Sequence, residues 1–443
     1  MIDRRVSPSS VEQVGRHSRY RPWLFLAVLT AAHLFGVLDR VVISLLVEPI
    51  KADLGLSDTE ISLLQGLAFM LGLVVMLIPM GVAVDRMSRT RLLAGGMALW
   101  SVMTALCGMA NSFGTLFMAR FGIAVGEASL HPTCYSLVSD LFDKRRLGIA
   151  ISIFMMGGTI GTGLSFVAGG AVIGAFNAYG DVQLPFFGVL RPWQLTFISI
   201  AIPGLLMALV VRAIADPPRG KMHASNMADG KGSWDALKAF YRENRRFLIS
   251  HHIAMGATAM ALLGAVSWIA PLLSRVYGWD AASIGVVVGI VTALVTPVGL
   301  LGGGFLGDYL MPYGAYMRLV VCAAAVGLGG ICGLAYPLVS DSSTMLVLYG
   351  GMTLFVTLPM GVGNAALQQI APNEIRGRVG SIYYLTMTVV QVAGPTLIAG
   401  ISDIFFPFHT GVRYSTAIVI SSTLLLSLFL FCTAIRPYRR LTQ

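Results

Sequence analysis

Long apolar runs punctuate this chain, and they constrain its fold more than any motif does. A helix needs about 20 apolar residues to cross a hydrocarbon core. Six runs of that order precede a central polar stretch, at 22–46, 60–83, 92–111, 115–139, 148–175 and 192–213. Six follow it, at 247–272, 282–307, 316–337, 345–370, 379–403 and 413–435. In hydrocarbon each backbone N–H and C=O must find a partner within the protein, so these runs are predicted as helices. With 56% hydrophobic and 12% charged residues and a mean hydropathy of +0.77, the chain does not read as a soluble domain.

The formal charge of +10 does not point to nucleic acid, because the basic residues sit between apolar runs rather than on one soluble face. Of 31 Lys and Arg, only Lys51, Arg191, Arg275 and Arg413 fall in the loops on the side opposite the N-terminus. By the positive-inside rule both termini are expected in the cytosol. Arg4, Arg5, Arg16, Arg19 and Arg21 precede the first run, which is too long for a signal-peptide core, so an uncleaved start is expected. Cys107, Cys134, Cys322, Cys332 and Cys432 lie in apolar runs with no Cys-x-x-Cys, and are read as packing residues. No cofactor and no metal are expected.

Residues 214–246 are the one long hydrophilic interruption. A Gly-rich piece there gives way to a segment in which Trp234, Leu237 and Tyr241 recur at helical spacing, predicting a short amphipathic helix on the cytosolic membrane face. The expected organisation is therefore a six-helix bundle over 1–213, a linker over 214–246, and a second six-helix bundle over 247–443.

Four charged residues lie deep within the apolar runs: Asp39 and Arg40 in the first, Arg120 and Glu127 in the fourth. A charge at the bilayer centre costs about 3 kcal/mol or more, so such residues persist when paired, hydrated or useful. The first helix runs outward and the fourth inward. At about 1.5 Å per residue, Arg120 shares a level with Asp39 and Arg40, and Glu127 lies lower, near mid-membrane. Arg120 and Glu127 are seven apart and share one helix face. Nothing in the sequence assembles an enzyme site: there is no Ser-His-Asp grouping, phosphate loop or His-rich metal box.

The halves echo one another. Gly81-Val-Ala-Val-Asp85 after the second run is matched by Gly304-Phe-Leu-Gly-Asp308 after the eighth, and Arg146-Leu-Gly148 by Arg378-Val-Gly380. Gly81-Val-Ala-Val-Asp85-Arg86-Met-Ser-Arg89 resembles the signature between helices two and three of the major facilitator superfamily. Arg120-Phe-Gly-Ile-Ala-Val-Gly126-Glu127-Ala-Ser129, with Pro132 and with Asp39-Arg40 in the first helix, resembles the Spinster subfamily. The resemblance implies an all-α integral membrane protein of 12 transmembrane helices in two pseudo-symmetric six-helix bundles, with the first and fourth helices adjoining. It also implies movement of a lysolipid or sphingosine-phosphate-like amphiphile, in some relatives with protons. The compact loops suggest a bacterial relative, and a monomer in the inner membrane is expected.

On this reading Asp39 pairs with Arg40 or Arg120, and Glu127 is held near Arg120 or Arg40. Asp39, Glu127 and Arg120 are the expected proton-coupling groups, since exchange of partners lets a carboxyl take and release a proton. Arg40, Arg120 and Glu127 are expected at the substrate; arginine suits an anionic headgroup by donating two parallel bonds. The second half offers Trp268, Thr357, Asn364, Gln368, Tyr383, Tyr384 and Gln391, of which Trp268, Asn364 and Tyr383 are the expected substrate contacts. Gly81, Asp85, Arg86 and Arg89 are expected as a cytosolic gate, with Asp85 capping a helix and pairing with arginines. His33 and His131 are near enough in sequence to the carboxyls to relay protons. A proton-coupled symporter of small organic anions or sugar acids is the alternative function.

Overall fold

The computed structural model describes residues 21–184, 188–217, 232–372 and 375–442; the Gly-rich linker piece and the first 20 residues lie outside them. In the first half, helices run as α1 (Arg21–Leu45), α2 (Val47–Leu54), α3 (Asp58–Gln65), α4 (Leu67–Arg86), α5 (Arg89–Cys107), α6 (Phe113–Glu127), α7 (Leu130–Leu141), α8 (Lys144–Tyr179) and α9 (Pro192–Ala213). After α10 (Gly232–Glu243) come α11 (Arg245–Tyr277), α12 (Ala281–Tyr309), α13 (Met317–Ala335), α14 (Ser342–Ile370), α15 (Arg376–Gln391), α16 (Ala393–Phe405) and α17 (Val412–Thr442). A two-stranded antiparallel hairpin, β1 (Val182–Leu184) with β2 (Gly188–Leu190), interrupts the helices.

Among the described residues, eleven segments are long and apolar enough to cross a membrane. The fourth predicted run is not among them. Where the sequence predicted one span over 115–139, the chain forms α6 and α7, of 15 and 12 residues, meeting at Ala128–Ser129. The cause is local. The Ser129 N–H turns back to the Gly126 carbonyl in a tight i→i+3 bond and its hydroxyl donates to the same oxygen at 2.8 Å. Pro132 then has no N–H to return to the Ala128 carbonyl. Laid end to end, α6 and α7 supply the twelfth crossing. Two further crossings are interrupted, between α3 and α4 at Gly66 and between α15 and α16 at Val392.

Within the first half α1 packs on α8, and α5 on α6 and α9; within the second α11 packs on α17, and α14 on α12 and α13. The halves meet where α8 lies against α12 and α3 against α16. Glycines permit the first contact. A Cβ at Gly170 would stand 2.9 Å from the Gly285 Cα, and one at Gly289 2.6 Å from the Gly163 carbonyl oxygen, closer than real side chains approach. The interrupted crossings meet as well: a Cβ at Gly66 would lie 3.1 Å from the Val392 carbonyl oxygen.

These contacts lie in the halves of the helices away from the face on which the described chain begins and ends, here the terminal face. At the far face a charged cluster reinforces them. Arg275 at the end of α11 donates to Glu48 at 2.8 Å and to both oxygens of Asp58 at 2.5 and 2.7 Å, and Lys51 also holds Asp58. Thr59 donates to Asp403 from its backbone and its hydroxyl, at 2.8 and 2.7 Å. Toward the terminal face Gly81, Gly148, Gly304 and Gly377 have no neighbour within 4 Å of where a Cβ would stand. The contacts between the halves are thus concentrated toward the far face.

Helix α10 turns its apolar side onto the second half, burying Leu237 and Phe240. Tyr241 and His252 are joined by a 3.1 Å hydrogen bond, and Arg378 covers the Trp234 ring at 4.8 Å.

Candidate functional site

The break between α6 and α7 places Glu127 at the end of a helix beside α1. There Arg40 grips it: Nε donates to Oε2 at 3.1 Å, and Nη2 lies against Oε1. The two partners differ in surroundings, since the Glu127 side chain is 1% exposed and that of Arg40 is 36% exposed. One face of the guanidinium is packed on the Phe69 ring, 4.3 Å from its centroid. Such stacking contributes about 0.5–2 kcal/mol and holds a charge without using its N–H donors.

Arg120 is fully buried and bonds main-chain carbonyls rather than either carboxylate. Its Nη1 donates to the backbone carbonyl of Asp39 at 2.8 Å and its Nε to that of Leu64 at 3.3 Å. Leu64 lies in the last turn of α3, where interruption of the helix leaves carbonyls without an intrahelical donor. Arg120 therefore ties α6 to α1 and α3 through main-chain oxygens, while its Nη2 keeps an unused donor. The buried Asp39 carboxyl lies against the Thr104 hydroxyl, within electrostatic range of Arg120 and Arg40. Of the pairings open in the sequence, the structure brings together Glu127 and Arg40; no ion pair joins Asp39 to either arginine among the described residues.

Below Glu127, toward the terminal face, His131 meets His33 edge to face with ring centroids 5.0 Å apart. His33 stacks on Phe154, and its Nδ1 is 3.0 Å from the Phe154 carbonyl oxygen, which accepts only. In its neutral form His33 therefore carries its proton on Nδ1. His131 Nδ1 is buried without a hydrogen-bond partner. Tyr135 continues the stripe in that direction and donates to the Met155 sulfur at 3.1 Å.

The second-half residues divide sharply. Trp268 is buried and donates to the Pro395 carbonyl at 3.0 Å, bridging α11 to the start of α16. Tyr383 is 7% exposed and packs between His251 and His252, whereas the next residue, Tyr384, is 49% exposed. Its phenol lies within electrostatic range of Arg40 and of Tyr135. Asn364 is exposed on α14. Phe69 and Tyr135 were not singled out from the sequence: a stacked ring and a cross-cavity phenol depend on helix facing, and their runs are apolar on most sides.

At the terminal face the signature works through Arg89. This buried side chain joins α5 to the ends of α7 and α9: its Nε donates to Asp216 at 3.1 Å, Nη1 to the Ser136 carbonyl at 3.3 Å and to Asp140, and Nη2 to the Pro217 carbonyl at 2.7 Å. Its own N–H reaches Asp216 at 2.6 Å. Gly81 borders open space, and Asp85 and Arg86 are exposed. The second half repeats the arrangement with weaker partners, since Arg318 donates to Asp308 at 2.9 Å and to Gln369 at 2.7 Å, and Tyr438 donates to Gln369 at 3.0 Å.

Comparison with known proteins agrees with this architecture. The Major Facilitator Superfamily model matches residues 28–395. The chain is 25% identical over 398 residues to an MFS-type efflux pump of Mycolicibacterium smegmatis, covering 88% of this chain and 87% of that one. It is 26% identical to the protein spinster of Drosophila melanogaster over 85% of this chain and 63% of the fly protein. It is 23% identical to the hexuronate transporter of Bacillus subtilis, over 85% and 86% of the two chains. Among solved structures, a bacterial homolog to the human lysosomal transporter Spinster, in an inward-facing and unoccupied conformation, superposes with a TM-score of 0.76 at 22% identity, over 96% of this chain and 97% of that one.

Proposed function

The chain belongs to the Major Facilitator Superfamily and is a Spinster-like transporter, and from that premise we propose that it moves an amphiphilic anion, a lysolipid or sphingosine-phosphate-like molecule, by proton-linked alternating access. The carrying observation is the asymmetry of the Arg40–Glu127 pair: a deeply buried carboxylate held by an arginine whose other side is open. While Glu127 is ionised it occupies both nitrogens of Arg40 that face it. A proton on Glu127 removes the charge, frees those donors, and lets Arg40 take an anionic headgroup. Loss of that proton restores the pair and expels the anion. Competition for one guanidinium thus links proton and cargo without direct contact between them.

In this scheme residues 1–213 and 247–443 are the rocking bundles, 214–246 is their linker, and the terminal face looks into the cytosol. Arg120, fixed to main-chain carbonyls, holds α1, α3 and α6 as one body, and Asp39 is the second carboxyl able to take a proton. Exposed apolar side chains in the terminal-side parts of α8 and α12, such as Ile149, Met155, Leu301 and Phe305, offer surface of the kind an acyl chain needs. The similarity to a hexuronate transporter favours a second reading, symport of a small sugar acid, in which the same arginine binds a carboxylate. Competition in proteoliposomes decides between them: displacement of labelled lysolipid by unlabelled lysolipid but not by hexuronate supports the first, and the reverse supports the second.

A further inference from the structure

The four charges deep within the apolar runs all belong to the first half, yet a cargo that drives two bundles together must touch both. We infer that Tyr384 is the second half's ligand for the anionic group of the substrate, and that an anion bridging the Arg40 guanidinium and the Tyr384 hydroxyl draws α15 toward α1 at the start of closure. This rests on the reading of Arg40 as the anion site. Three independent features carry it.

The first is helix register. Tyr383 is enclosed by His251 and His252, so on α15 the neighbouring position, about 100° round the helix, faces away from that packing and is half exposed. The second is level. Val392 forms the seal against Gly66, and Tyr384 lies eight residues before it, about 12 Å toward the terminal face at the helical rise. Phe69, which carries Arg40, lies three residues past Gly66 on the facing helix, on the same side of the seal. Both groups therefore sit on the terminal side of that seal. The third is chemistry. The phenol lies within electrostatic range of Arg40, and no hydrogen bond to it exists among the described residues. A neutral phenol donates one O–H and carries no charge. It adds a bond to an anion held by arginine without adding a cation that would repel Arg40 in the empty cavity.

The test is binding to the full chain in nanodiscs of three probes: lysophosphatidate, a neutral monoacylglycerol of the same chain length, and galacturonate. Wild type is compared with Tyr384→Phe and, as a packing control, Tyr383→Phe. The expected result is about tenfold weaker binding of the anionic probe in Tyr384→Phe, the size of one hydrogen bond to a charged group, with the neutral lipid unchanged and Tyr383→Phe within twofold of wild type. If galacturonate rather than lysophosphatidate binds, and Tyr384→Phe weakens it, the inference stands and the lysolipid reading falls. If Tyr384→Phe leaves anion binding within twofold, or weakens the neutral lipid equally, the inference is overturned. If wild type binds neither anion, it falls together with the reading of Arg40.

Discussion

Arg40 holds Glu127 through two nitrogens while one face of its guanidinium is stacked on Phe69, so the ring and the carboxylate together fix the direction in which its remaining donors point. This makes Phe69 the hinge-side support of the pair. Phe69→Leu keeps the volume apolar but removes the ring face. Loss of a stacking contribution of about 1 kcal/mol is expected to raise the apparent KM for the anion about fivefold while leaving thermal stability within about 2 °C. A large fall in stability with unchanged KM would show that Phe69 is only a packing residue.

At the far face, Arg275 is shared between Glu48 and Asp58, and Asp58 is almost wholly buried. Breaking a buried pair and leaving one charge behind costs about 3 kcal/mol, moderated here by Lys51, which still contacts Asp58. Arg275→Ala is expected to shift the population toward a far-face-open state by about 30-fold or more. Spin labels at Tyr179 and Ile404, both highly exposed near that face in opposite halves, read the change as growth of a longer distance component. An unaltered distance distribution would mean that the glycine contacts between α8 and α12 hold the seal unaided.

The two arginine hubs of the terminal face are expected to differ in weight. Arg89 is buried with several partners, whereas Arg318 bonds an Asp308 that is largely exposed. Arg89→Ala is therefore expected to cost about 3 kcal/mol or more, and Arg318→Ala about 1 kcal/mol or less. Thermal unfolding in detergent checks the order; equal losses would remove the distinction between a buried and an exposed hub.

Asp280 caps α12 outside the membrane-spanning segments, accepting from the Ser283 hydroxyl at 2.6 Å and from the N–H groups of Ser283 and Ala282 at 3.0 Å. The Ser283 hydroxyl, followed by its N–H, holds the carboxyl below its ordinary range. A depressed folded value contributes stability above the unfolded pKa of about 4, lost as pH falls through the folded value. Asp280→Ala is thus expected to lower the melting temperature by a constant small amount from pH 5 to 8, with the gap closing below pH 4. A gap that widens in acid would contradict the sign.

Much of this architecture was legible in the primary structure because bilayer thickness and backbone hydrogen bonding leave few options for a run such as 282–307, which became α12. The break at Ala128–Ser129 was not foreseen, although Gly126, Ser129 and Pro132 all lie in the run: its hydrophobicity hides turn chemistry that only the folded hydrogen bonds reveal. Sequence direction placed Asp39, Arg40 and Arg120 near one level with Glu127 lower, yet the levels did not determine partners. Arg120 went to carbonyls exposed by the interruption of α3, a break with no charge to announce it. Which of the adjacent Tyr383 and Tyr384 is packed and which is exposed turned on one residue of helical phase, which the sequence cannot supply until the neighbouring helix is known.

Linkage of proton and cargo through Glu127 is the claim on which the rest depends. The direct measurement is transport of labelled lysolipid by the full chain in proteoliposomes, with and without an imposed pH gradient, for wild type and Glu127→Gln. Wild type is expected to accumulate cargo only with the gradient, and Glu127→Gln, permanently neutral beside Arg40, to equilibrate cargo at a rate that ignores it. Gradient-driven accumulation that survives in Glu127→Gln would contradict the account.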